Sequence, residues 1–143
     1  MSEADAAAME ASLIAVADAG IDIRHTLFER FLAAFPARAS AFLNLDTASL
    51  RMTDETLQLL VGLARGEGWV GPHIAELVGN HRNYGALPTA EYDAFIDLVV
   101  AELATAAGPA WGAATDAAWR RQAAGLQALV RRAQIDWASA LPA

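Results

Sequence analysis

Ile74-Ala75-Glu76-Leu77-Val78-Gly79-Asn80-His81-Arg82-Asn83-Tyr84-Gly85 is the stretch on which the fold of this chain turns. Ile74, Leu77, Val78 and His81 recur at the spacing of one helical face, so the imidazole leaves the helix on the same side as three aliphatic side chains. A neutral imidazole at the edge of a buried apolar stripe is placed to hold a metal. Gly85 supplies the chain reversal behind it. The pattern predicts a short helix, opened by Gly71-Pro72, that ends on a histidine.

Outward from this stretch the helical period dominates, and no segment alternates with period two for long enough to make a strand. The expected class is all-α, with six or seven helices. Toward the N-terminus, Met9, Leu13, Val16 and Ala17 mark a helix from about Ala4 to Ala17, stopped at Gly20. Leu27, Phe28, Phe31, Leu32 and Phe35 give a second, very apolar helix from about Ile23 to Phe35. Pro36 cannot continue it without losing a hydrogen bond, so a short helix, Ala37 to Phe42, is expected at a corner. Leu43 to Arg51 is less regular. Thr53-Asp54-Glu55 resembles a cap with acidic first-turn residues, although Ser49 is an equally good start, and Leu57, Leu60, Val61 and Ala64 carry that helix on.

Toward the C-terminus, Pro88-Thr89-Ala90-Glu91 starts a helix with the stripe Tyr92, Phe95, Ile96, Val99, Val100 and Leu103, which ends near Ala107-Gly108-Pro109. A last helix, capped near Thr115-Asp116, is expected to bury Trp119, Leu126, Val130, Ala133 and Trp137. One inward imidazole among aromatic and aliphatic walls is what a flat, apolar, iron-bearing cofactor such as haem requires of one side.

Composition removes other classes. The 143 residues suit one domain with a core of its own, and the absence of cysteine excludes thiolate ligation and thiol catalysis. A formal net charge of −7, from 17 acidic and 10 basic residues, argues against nucleic acid, whose phosphates need a cationic face. The acidic Met1-Ser2-Glu3-Ala4-Asp5 does not read as a targeting segment, and Leu57 to Ala64 is too interrupted to span a membrane, so the cytoplasm is the expected compartment. No Ser-His-Asp arrangement or phosphate loop is discernible. Asp54 and Glu55 are expected on a solvated helical turn, and His25 and His73 on exposed helix surfaces.

Leu27-Phe28-Glu29-Arg30-Phe31, Pro36 followed six places later by Phe42, His81 followed by Gly85, Tyr92 (allowing one extra residue in the preceding turn) and Ala118-Trp119 come in an order that resembles the globins. The closest resemblance is to the single-domain relatives of flavohaemoglobin, and it covers nearly the whole chain as one globin domain, residues 1–143. It implies a globin fold around haem b, with His81 as the iron ligand and Phe42 against the porphyrin. Phe28, Thr53, Leu57, Leu77, Tyr92 and Phe95 would line the pocket. It further implies binding of a diatomic gas (dioxygen, nitric oxide or carbon monoxide) for oxygen binding and transport, for scavenging, or for slow nitric-oxide dioxygenation fed by a separate reductase. No Gly-x-Gly-x-x-Gly turn follows a strand, so such turnover would borrow its electrons.

Three departures bear on mechanism. Relatives usually carry a tyrosine where Phe28 stands, and phenylalanine cannot donate a hydrogen bond to a bound gas. They tend to carry glutamine on the distal helix, where this chain aligns Thr53, or Met52 if the register shifts by one. The last-helix glutamate that polarises the histidine is replaced, two places after Trp119, by Arg121, which leaves a weaker electron donor. A histidine at a helix C-terminus also suits the helix dipole when protonated, so its position alone leaves both roles open, and the flanking matches favour iron. The alternatives are a globin-fold sensor or interaction protein without haem, and six-coordinate haem with Met52 or His73 as the second ligand.

Overall fold

A computed structural model describes residues 2–140, and among these there are six α-helices, three short 3-10 helices and no strand. The α-helices are α1 (Glu3–Asp18), α2 (Arg24–Ala34), α3 (Leu45–Ala64), α4 (Val70–His81), α5 (Thr89–Ala107) and α6 (Ala113–Ala140). The 3-10 helices, Pro36–Ala41, Arg82–Tyr84 and Gly108–Ala110, fill three of the corners. No described helix is long and apolar enough to cross a membrane.

α6 is the packing axis, touching α1, α3, α4 and α5, while α2 lies across α3 and α5. Trp119 is the anchor of that axis. It is wholly buried, donates from Nε1 to Ser12 Oγ at 2.8 Å, and stacks on Trp111 with ring centres 6.2 Å apart. Met9, Leu27, Leu60, Val99, Val100, Leu103, Leu126 and Val130 are buried in the same core.

Three buried or nearly buried carboxylates tie helices that are far apart in sequence. Asp5 accepts from Arg121 Nε and Nη2 at 2.9 and 2.8 Å and from Gln122 at 2.8 Å, joining α1 to α6. Glu91 accepts a two-pronged bond from Arg38 at 2.6 and 2.8 Å, joining the Pro36 corner to α5. Glu102 accepts from Arg30 at 2.6 Å, joining α2 to α5. Bidentate guanidinium–carboxylate pairs fix geometry as well as energy.

Several boundaries differ from expectation. α3 starts at neither Thr53 nor Ser49. Asn44 caps it, accepting from the Thr47 N–H at 3.0 Å, and Asp46 complements the dipole in the first turn. Leu43, Leu45 and Leu50 are exposed, so this segment has no apolar stripe toward the core by which its helical period shows. Asp54 and Glu55 therefore sit mid-helix. The Pro36 corner is a 3-10 helix ending at Ala41, with Phe42 beyond it in extended conformation. α4 begins at Val70, one residue ahead of Gly71-Pro72, and α6 begins at Ala113, ahead of Thr115. Trp137 is 38 % exposed instead of buried, and Ala17 is exposed.

Candidate functional site

α4 buries Ile74 and Val78 against the core and leaves Leu77 and His81 half-buried at its C-terminal end. There the His81 ring is held by its own helix, with Nδ1 2.7 Å from the Leu77 carbonyl oxygen. A carbonyl only accepts, so Nδ1 carries the proton, and the neutral ring keeps its lone pair on Nε2. A backbone carbonyl on one ring nitrogen is the usual way to orient the other toward a metal. Gly85 makes the reversal after the Arg82–Tyr84 turn at φ +95°, a conformation that side chains with a Cβ rarely adopt.

Two groups of rings lie on α5, one at His81 and one at Phe95. Tyr92 on α5 meets the imidazole edge-on at 5.8 Å, and Phe95 lies on α5 three residues further along. Phe95 packs on Phe28 and on Phe31 at 5.4 Å each, and Phe28 packs on Phe42 at 5.9 Å. Phe95, Phe28 and Phe42 are thus brought together from three segments, and His81 meets Tyr92 on the same helix that carries Phe95. Burial pushes the Tyr92 phenol up to about 12, with the negative charge of Glu91 adding to the effect, so the ring stays neutral.

Thr53 and Leu57 form a second wall on α3, four residues apart on one face. No hydrogen bond or ring contact links either to His81. Leu57 is half-buried, as are Met52, Phe42 and Leu77. Thr53 is 4 % exposed, and its hydroxyl finds no hydrogen-bond partner. Other buried helical hydroxyls bond back to the preceding turn: Ser12 to Met9, Ser49 to Asp46 and Thr56 to Met52. An orphaned buried hydroxyl costs free energy unless something else occupies its bonding direction.

Arg121, which the resemblance sets in place of a glutamate, meets Asp5 on α1. It lies 13 residues before Gln134, whose side chain meets Thr89 and Leu87 near the start of α5, and that separation is about 20 Å along a helix. Arg121 pairs with Asp5 and has no bearing on the imidazole. His73 faces Glu55 at 3.5 Å and the Trp69 ring at 5.7 Å, at the α3–α4 corner, and His25 is exposed on α2. Among the described residues no three His, Asp or Glu side chains converge, so the protein alone builds no coordination sphere for a bare ion.

The donor chemistry at His81 suits a group held by one protein ligand. His81 offers a single oriented nitrogen, and Phe42, Met52, Leu57 and Leu77 are apolar and incompletely covered. Thr53 holds an unused hydroxyl on α3. Sequence reasoning missed the orphan state of Thr53 because it placed that residue at a helix cap, where the hydroxyl would have a backbone partner. The Asn44-Leu45-Asp46-Thr47 cap was the available signal. No protein-family model and no curated protein matches this chain.

Proposed function

We propose that this protein is a globin that holds haem b on His81 and binds a diatomic gas. The observation that carries the assignment is the His81 ring, fixed by Leu77 at 2.7 Å so that Nε2 is its one free nitrogen, at the edge of an apolar wall. The helix order supports it as well: a proline corner before Phe42, a long helix carrying Thr53, and then the short helix carrying His81. Haem held there would supply an iron able to bind dioxygen, nitric oxide or carbon monoxide. His81 binds and orients the group, while Phe28, Phe42 and Leu57 exclude water. Thr53 offers the hydroxyl for which the fold has no other use. Tyr92 and Phe95 pack between the ligand-bearing helix and the aromatic cluster. Redox turnover, including nitric-oxide dioxygenation, would draw electrons from a separate reductase.

Reconstitution with haemin tests this directly. A stoichiometric Soret band that shifts with carbon monoxide is expected, His81→Gly should lose it, and free imidazole should restore it. Absence of the band, or a band indifferent to His81→Gly, sinks the assignment.

A further inference from the structure

We propose that Trp137 and Gln134, near the end of α6, are positioning residues for His81, holding the chain on either side of it and so fixing where Nε2 points. The role rests on the reading of His81 as an iron ligand given above. His81 is the last residue of α4, and a helix end frays unless something outside the helix holds it. The bond from Nδ1 to the Leu77 carbonyl lies wholly within that last turn. It orients the ring relative to α4 and leaves the placing of α4 itself to its neighbours.

α6 holds this part of the chain at two points. Along the turns that lead to the histidine, Trp137 donates from Nε1 to the Ala75 carbonyl at 2.8 Å. Its ring lies so near Gly79 that a Cβ there would come within 2.6 Å of it, and the guanidinium of Arg82, the residue after His81, covers it at 5.4 Å. Ala75, Gly79 and Arg82 stand at i, i+4 and i+7 on one flank of α4, while Ile74, Val78 and His81 occupy another. The indole thus grips the helix without taking the flank that carries the imidazole. Beyond the histidine, Gln134 donates from Nε2 to the Leu87 carbonyl at 3.0 Å and accepts from Thr89 Oγ1 at 2.7 Å. Gln134 and Trp137 are three residues apart and share a face of α6, so a single surface holds both approaches to His81.

The hold acts on a small length scale. A side-chain atom at the rim of a helix lies roughly 5–6 Å from its axis, so a rotation of about 10° carries it about 1 Å. A ligand group has to be held to within about 0.5 Å. Trp137 is 38 % exposed and the core is anchored elsewhere on α6, by Trp119, so the indole does more to set α4 than to fill the interior.

Trp137→Phe keeps a ring over Gly79 and removes its donor, and Gln134→Leu removes both bonds while keeping the bulk. In the haem-free chain at about pH 8, above the ordinary imidazole range near 6.5, nitrogen NMR of His81 reads which ring nitrogen carries the proton. The Nδ1–H form should predominate in the wild type, and both variants should raise the share of the Nε2–H form, which the Leu77 carbonyl opposes. In the haem-loaded chain each variant should speed haemin loss about tenfold, the scale set by the outer partners of a metal-binding histidine. The deciding step detaches the imidazole from the chain. In His81→Gly loaded with haemin and saturated with free imidazole, the same two substitutions should no longer change the rate, because the ligand is no longer tied to α4. An effect that persists there makes both residues merely structural and overturns the proposal. An unmoved tautomer balance, or an unmoved loss rate in chains that keep His81, overturns it as well. If the wild type takes up no haemin, the iron-binding reading falls, and the tautomer shift alone decides the positioning role.

Discussion

Thr53 keeps a hydroxyl that its helix does not use, and the cost of that choice is measurable. Leaving a buried hydroxyl unbonded costs on the order of 1–3 kcal/mol, part of which valine recovers at nearly the same shape. Thr53→Val should therefore raise the urea-unfolding free energy of the haem-free chain by about 1 kcal/mol. In the loaded protein it should speed gas release, because Phe28 offers no donor to compensate. Unchanged release would remove Thr53 from the site without touching the role of His81. At this scale the sequence was informative where periodicity decides exposure: His81, Phe28, Tyr92 and Phe95 all lie where their spacing put them. It was silent on the partner of Arg121, since which carboxylate a surface arginine meets depends on how α1 and α6 pack and not on its distance from Trp119.

Among the elements, α4 shows how the histidine-bearing helix is held from outside. The Trp137 indole of α6 lies across Gly79, where a Cβ would come within 2.6 Å of a ring carbon. Its Nε1 donates to the Ala75 carbonyl at 2.8 Å, and the Arg82 guanidinium covers its ring at 5.4 Å. Gly79 is thus retained for close approach against its poor helix propensity. The two residues should show sign reversal. In the wild type, Gly79→Ala should destabilise by about 1–2 kcal/mol through the clash. In a Trp137→Ala background it should stabilise by up to about 1 kcal/mol through propensity alone. Chemical denaturation of the four chains gives the cycle, and additive effects would show that the strap is not one. An isolated glycine inside a helical pattern was the legible sign of this contact, but nothing in the sequence told which residue it admits. The first turns of α3 were illegible for the opposite reason, because their leucines point to solvent.

The molecule as a whole is stapled by carboxylates that the chain order keeps far apart. Hydrogen bonds from Arg121 hold the Asp5 carboxyl down at about 2, against the opposing effect of burial, with Gln122 and Ser2 contributing further. Because the folded value lies below the unfolded one near 3.8, the stabilisation is complete above about pH 4 and is lost as pH falls toward 2. Arg121 is 62 % exposed, so solvent screening limits the effect to about 1 kcal/mol. Asp5→Asn should be less stable than wild type by that amount at pH 7 and indistinguishable near pH 2, as measured by denaturation across pH. A constant difference would place the contribution in packing instead. The all-α class was legible from one period repeated along the chain. The assembly of the helices was not, because Asp5–Arg121, Arg38–Glu91 and Arg30–Glu102 are pairings that only the folded topology selects.

The same staple bears on the order of synthesis. Asp5 and Arg121 are 116 positions apart, and Ser12 and Trp119 are 107 apart, so α1 has neither partner until the first turns of α6 have been made. At translation speeds of about 5–20 residues per second, the first helix waits on the order of 6–20 s with the Asp5 carboxylate unmet. α1 through α5 can begin to associate in that interval, since α1 also packs on α3 and α5, and α6 then closes the molecule over them.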